Sequence, residues 1–380
     1  MLWYTTTLRV CFRLVRWKPR QKTLPNFTFQ HTPRTLSTSP CASTQNEINK
    51  PLKQWTLVVN PFSKVRAQLT CSISIRPLDP HAFPESNRAF ITVHGTSADQ
   101  GIKLDNVHVH YDDQSKELLI LSEKVNSSMS VELTAPVKSD LYITAQGEGN
   151  VRVENMECDV CKVQTERGDC VLHAVKAHRV QVRTQGGAVT GGGTIHGDVD
   201  ISTTGDGAVD MKKVQGTVLR VSTERGPLKI KAIYAENILV ASSSGPIQLG
   251  HVHGDASVRS EAGDIVVDSS SGHLQMSSLR GDVDAYVGES GTAELSSLEG
   301  SVCVRLPASS RAGLRLRGDS VELSPEVTLQ EADSYSKSGQ THITGFMNQP
   351  QEGQWIDAQT DKGTVRVKTQ SWFESLKLGS

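Results

Sequence analysis

This sequence predicts an all-β fold, a single-stranded parallel β-helix of about ten coils, and three observations lead there. The first is a periodic glycine: Gly149, Gly168, Gly187, Gly207, Gly226, Gly245, Gly263, Gly281, Gly300 and Gly318 follow one another at 18 or 19 residues, with one spacing of 20 where Gly205-Asp206 precedes Gly207. A fixed period of this size marks a stacked, quasi-one-dimensional fold. The second is alternation on both sides of each glycine. The third is composition: 380 residues with 31 glycines, 37% hydrophobic and only 5% aromatic, as suits a narrow interior filled by small β-branched side chains.

The elements can be justified in chain order. Residues 1–46 hold Arg9, Arg13, Arg16, Lys18, Arg20, Lys22 and Arg34 before the first acid, Glu47. Interleaved Leu2, Trp3, Tyr4, Leu8, Val10, Phe12, Leu14, Val15 and Trp17 make a basic amphipathic helix the expectation. An Arg-rich, Ser/Thr-rich, acid-poor start is the mitochondrial transit pattern, and Arg34-Thr-Leu-Ser37 offers a matrix processing site, so residues 1–36 are read as a transit peptide. Its removal would leave 33 basic against 41 acidic residues, a net charge near −8, where the whole chain carries −1. A polar linker over 37–53 follows. Residues 54–148 contain strand-like runs off the period (Trp55-Thr-Leu-Val-Val59, Leu69-Thr-Cys-Ser-Ile-Ser-Ile75, Phe90-Ile-Thr-Val93, Val107-His-Val-His110, Leu118-Leu-Ile-Leu121). They are read as early coils or an irregular β cap over the first edge.

The regular coils span 149–323. Seven and five residues before each glycine stand pairs such as Val180/Val182, Leu219/Val221 and Ile238/Val240; two and four after it stand Cys170/Leu172, Leu228/Ile230 and Ile265/Val267. Alternate apolar positions are the strand period, one face buried and one wet. Each unit reads as strand, glycine-containing turn, strand and a looser third side, with the glycine supplying positive φ at the corner. Ten units at the ~4.8 Å spacing of paired strands make a column about 45 Å long. Over 324–380 the period breaks into a polar loop (324–352), resumes in a last pair about Gly363, and ends in Trp372-Phe-Glu-Ser-Leu-Lys-Leu378, a segment able to cap the second edge.

Val131-Glu-Leu-Thr-Ala-Pro136, Leu141-Tyr-Ile-Thr144 and the Gly-x-Val-x-Val coils resemble the putative-adhesin domain, a family of bacterial and eukaryotic β-helices. Val302-Cys-Val-Arg-Leu-Pro307 and Ile356-Asp-Ala-Gln-Thr-Asp-Lys-Gly-Thr-Val-Arg-Val367 match its C-terminal pattern, so the resemblance covers roughly residues 90–370. It implies a right-handed coil and carries no catalytic residues; the transit-like start points to an organellar eukaryotic member.

Several constellations invite chemistry. Cys158-x-x-Cys161 with Cys170-x-x-His173 has the residue types of a zinc set, but the register puts Cys161 and Cys170 in core slots, where cysteine behaves as a small hydrophobe; Cys303 points outward. Gly-Asp pairs recur at Asp169, Asp206, Asp264, Asp282 and Asp319. Stacked, they could form a carboxylate column, with Asp264 and Asp282 as an acid/base pair beside Arg280 and Tyr286. Asp after Gly is also turn chemistry, the side chain bonding nearby backbone N–H groups. His108/His110, His196 and His251/His253 lack a third ligand and read as outward-facing turn residues. There is no Gly-x-Ser-x-Gly, phosphate loop or dinucleotide fingerprint, no 18-residue apolar run, and no Lys/Arg cluster beyond the leader to suggest nucleic acid.

The expectation is therefore a non-enzymatic scaffold or binding module in the mitochondrial matrix, a monomer or weak oligomer. It needs no cofactor or metal and presents β-helix faces to a protein or other partner. The alternative is a carbohydrate-active β-helix enzyme of lyase or hydrolase type using its surface Asp residues.

Overall fold

The computed structural model describes residues 50–95, 106–122, 129–348 and 354–370. The chain divides into two units, Met1–Thr44 and Gln45–Ser380. The transit-peptide reading, most of the linker and the Trp372–Leu378 tail lie outside the described residues. Among those described, the regular elements are β-strands and none is an α-helix.

Two walls of parallel strands run through the second unit. On the first wall the inward residues Leu141, Cys161, Val180, Val199, Leu219, Ile238, Ala256, Leu274 and Ala293 stand in register. On the second, Val151, Cys170, Val189, Val209, Leu228, Ile247, Ile265, Val283 and Val302 do the same. All of these are buried, and burying each Val, Leu or Ile contributes roughly 1.5–3 kcal/mol. The period-2 alternation thus becomes a continuous core because neighbouring coils repeat it in phase.

The third side is better ordered than the sequence reading expects. Ile195, Val214, Ile233 and Val252 form a third inward column, in register through successive coils. Its corner has its own glycine series, Gly197, Gly216, Gly254 and Gly272, with Ala235 filling one step. A Cβ on Gly216 would stand 2.0 Å from the carbonyl oxygen of Gly197, and one on Gly254 1.7 Å from that of Ala235.

The main glycine series also works differently from expectation. Gly149, Gly168, Gly187, Gly207, Gly226, Gly245 and Gly263 do not have positive φ. Their common property is close approach: a Cβ on Gly187 would lie 2.0 Å from the Gly168 carbonyl oxygen, and one on Gly226 2.1 Å from that of Gly207. Beneath three of these corners a buried hydroxyl ties the turn. Thr184 donates to the Gly187 carbonyl at 2.8 Å, Thr203 to Gly207 at 3.0 Å and Ser242 to Gly245 at 2.9 Å. These bonds satisfy hydroxyls that burial would otherwise penalise.

Both ends of the stack are interleaved out of chain order. Lys64–Leu69 pairs in parallel with both Glu117–Ser122 and Asp140–Ala145. Ser72–Pro77 likewise lies between Ser130–Ala135 and Val151–Glu154. At the other end Trp355–Lys362 enters between Thr292–Glu299 and Ala312–Gly318, and Thr364–Thr369 between Val302–Leu306 and Ser320–Leu323. Gly318 therefore does not follow Gly300 in space. Gly363 does: its Cβ would meet the Gly300 carbonyl oxygen at 2.3 Å. The ladder runs out in antiparallel strands, Arg88–Gly95 and Lys50–Val58 at one end, Gln340–Met347 and Leu329–Lys337 at the other. That last pair is a hairpin where the sequence suggested a loop.

Candidate functional site

Each corner aspartate sits where one coil turns into the next strand, and the carboxylates are spent on the stack. Asp264 Oδ1 accepts the Asp282 amide at 2.8 Å, and Asp282 Oδ1 accepts the Ser301 amide at 2.7 Å. Asp169 holds the Ala188 amide at 2.9 Å, and Asp319 the Gly363 amide at 3.0 Å. The turn-chemistry reading is thus corrected in one respect: the bond goes to the backbone of a neighbouring coil, the next one for Asp169, Asp264 and Asp282 and the preceding one for Asp319, not to the residue's own turn. Asp206 departs from the series and pairs with Arg225 at 2.8 Å. A matching ladder runs along the other corner, where Asp140, Asp198 and Asp255 accept the amides of Asp159, Val218 and His273. Nor does the proposed acid/base pair gather its partners, since Tyr286 is buried and lines a separate hollow with His253 and Glu289.

The cysteine set does not converge. Cys161 and Cys170 face the core, fully buried, while His173 is exposed. Burial pushes the Cys170 thiol up to about 12 and Cys161 well above its ordinary range; desolvation raises Cys158 to about 12 and Cys71 to about 11. Thiols held this way are poor ligands and nucleophiles. Cys303, part-exposed as expected, is also raised, chiefly by burial and then by Asp284. Among the described residues no group of three His, Cys, Asp or Glu side chains is placed to hold a metal. His253 stacks on Tyr234 at 4.6 Å and meets Ser271 Oγ at 2.8 Å; His196 stands three coils earlier in the same outward column. His108 and His110 are exposed.

Sequence reasoning missed a buried arginine, paired with a half-exposed aspartate, on the second wall. Arg305, 6% exposed, donates to Asp284 Oδ1 at 2.5 Å, to the Val267 carbonyl at 3.0 Å and to Gln370 at 3.1 Å. Asp268 lies near it, 5% exposed; burial raises its carboxyl, and the charge of Arg305 opposes that shift. With Nε, Nη1 and Nη2 each donating a bond, Arg305 reads as a strut between successive coils and the residue that follows Thr364–Thr369.

The other missed feature lies on the outer face of the first wall. Two outward columns run in register from Ser257–Ser260 to the terminal hairpin. One is Ser257, Gln275, Glu294, Asp357, Arg315, Thr344 and Asp333; the other is Arg259, Ser277, Ser296, Gln359, Arg317, His342 and Tyr335. Seven strands at ~4.8 Å make this face about 29 Å long. Most of these residues line a hollow of about 720 Å³. Its lining includes the small side chains of Ser277 and Ser296, and at the hairpin end of the column Tyr335 stacks on His342 at 4.8 Å. Gln275 bonds Glu294 at 3.2 Å; Arg315 approaches Asp357 at 3.4 Å, and Arg317 reaches Asp361 at 3.1 Å. The interleaved strand that brings Asp357 and Gln359 here could not be placed by period alone.

Residues 193–368 match the family model described as Toastrack DUF4097, so the chain is similar to a putative-adhesin-like β-repeat family, in keeping with the resemblance read from its sequence. Among solved structures, a putative adhesin from Parabacteroides merdae is 12% identical, covering 83% of this chain and 95% of its own, with a TM-score of 0.35. One from Bacteroides fragilis is 11% identical, covering 84% and 96%, with a TM-score of 0.23. Such low backbone overlap transfers nothing of those proteins' roles to this chain.

Proposed function

We propose that the chain is a non-enzymatic binding or scaffold module whose binding surface is the outer face of the first wall. The observation that carries this reading is the contrast between two polar sets. Corner carboxylates are tied to backbone amides, where they knit coils together, whereas the first-wall residues converge on a hollow open to solvent. Concave polar surfaces built from many rigid strands suit recognition, because their side chains are already held in place. We read the coil as right-handed, after the resemblance, with the antiparallel ends protecting the stack from edge-to-edge addition. The transit-like leader supports import into mitochondria and a mature start at Ser37.

Two measurements test this. Photo-crosslinking from position 277 in the full-length chain within cells should yield a reproducible adduct, and crosslinking from Asp282 should not. N-terminal sequencing of the mature protein from a mitochondrial fraction should begin at Ser37. A protein without adducts at position 277 would remove the binding reading; an intact N-terminus in the cytosol would remove the mitochondrial one.

A further inference from the structure

We infer that the first-wall hollow is a subsite for an uncharged, extended oligosaccharide, one sugar ring per coil. The inference rests on the first wall being the binding face and is independent of compartment.

Three features point to that ligand. The charges at the hollow cancel locally: Arg315 with Asp357 and Arg317 with Asp361, leaving one further cation, Arg259, and one further carboxylate, Glu294, at separate rungs. A neutral hollow selects against strongly charged chains. Spacing is the second feature. Polar groups recur along the stack every ~4.8 Å, whereas an extended peptide presents same-face side chains every ~6.6–6.8 Å, so a peptide lying along the columns falls out of phase within a few residues. A pyranose ring in an extended chain is about one rung long and offers hydroxyls at both edges. The third is amphipathic lining. Ser277 and Ser296 contribute small side chains, amides of Gln275 and Gln359 offer donors and acceptors, and the Tyr335–His342 stack supplies an aromatic platform with Tyr335 51% exposed. A sugar has one apolar ring face and a polar rim, which is the chemistry such a lining complements.

The test is calorimetric titration of the full-length protein with cellohexaose, beside a hexalysine and a hexaglutamate peptide. Binding of cellohexaose alone, weakened about tenfold by Tyr335→Ala and abolished by Ser277→Arg or Ser296→Arg, supports the inference. Those positions face outward, so the arginines fill the hollow without entering the core; matching melting temperatures would confirm that the variants fold. Asp282→Asn should bind as the parent does. No heat from cellohexaose, binding indifferent to the two serine variants, or tighter binding of either peptide overturns it. A protein adduct at position 277 with no sugar binding would keep the binding module and discard the oligosaccharide.

Discussion

At Gly187 a Cβ would fall 2.0 Å from the Gly168 carbonyl oxygen, while at Gly186, its neighbour, it would meet nothing within 4 Å. Neither has positive φ, so the pair separates steric exclusion from backbone freedom. Gly187→Ala must push two coils apart against backbone atoms that cannot rotate away, and is expected to cost about 3 kcal/mol, the upper part of the usual range for overpacking. Gly186→Ala should be neutral or stabilise by up to about 1 kcal/mol, through the unfolded chain. Denaturant midpoints of the two variants decide the matter; equal midpoints would mean that corner spacing is softer than these distances imply. The same residue-level logic explains why the conformational reading of the glycines fell short. Sequence shows that a side chain is forbidden at the corner, but the object it would strike, the carbonyl of the preceding turn, appears only when the coils are stacked.

The corner element shows what was legible and what was not. Alternation placed Cys161, Cys170, Val180 and Leu228 in the core correctly, because a one-residue slip would turn each of them to solvent. The second glycine series was also present in the sequence, at Gly197, Gly216, Gly254 and Gly272, hidden by Ala235 where one member was due. The amides that donate to the aspartate side chains were not legible, since Gly-Asp has the same local pattern whether it caps its own turn or a neighbouring coil. This bears on Asp282, which holds the Ser301 amide at 2.7 Å. Asp282→Asn keeps an acceptor and should leave stability nearly unchanged; Asp282→Ala gives the exposed Ser301 amide over to water and should cost about 0.5–1 kcal/mol. Thermal melts of both variants make the comparison. An acid/base role would show the reverse sensitivity, with both substitutions silencing any glycosidase activity while the melts stay alike.

On the scale of the whole molecule, the interleaved ends change what the last strands do. Period alone put Gly318 directly after Gly300, and the pairings instead insert Trp355–Lys362 and Thr364–Thr369 between those coils. Likewise the coil of Lys64–Leu69 and Ser72–Pro77 carries Cys71 at its corner; Gly149 packs on Cys71, where a Cβ would lie 2.7 Å from its carbonyl oxygen. Lacking a glycine and 78 residues removed from Gly149, that coil could not be found by counting. Stacked folds depend on each repeat's contact with its neighbours, so removing an inserted coil is unlike trimming an end. A chain stopped at Asn348 loses the layer beneath Ala312–Gly318 and leaves the Thr292–Glu299 edge unpaired, an open template for aggregation. Replacing residues 327–347 by a short Gly-Ser linker removes only the terminal hairpin and keeps that layer. The first is expected to elute as aggregate with a depressed melting temperature. The second keeps its core transition but uncovers the Ala312–Gly318 edge, so it should melt near the parent, associate with rising concentration, and lose the cellohexaose binding that Tyr335 and His342 support. If the chain stopped at Asn348 stayed monomeric and melted with the parent, the inserted coil would be an accessory layer and the stack would end at Val302–Leu306.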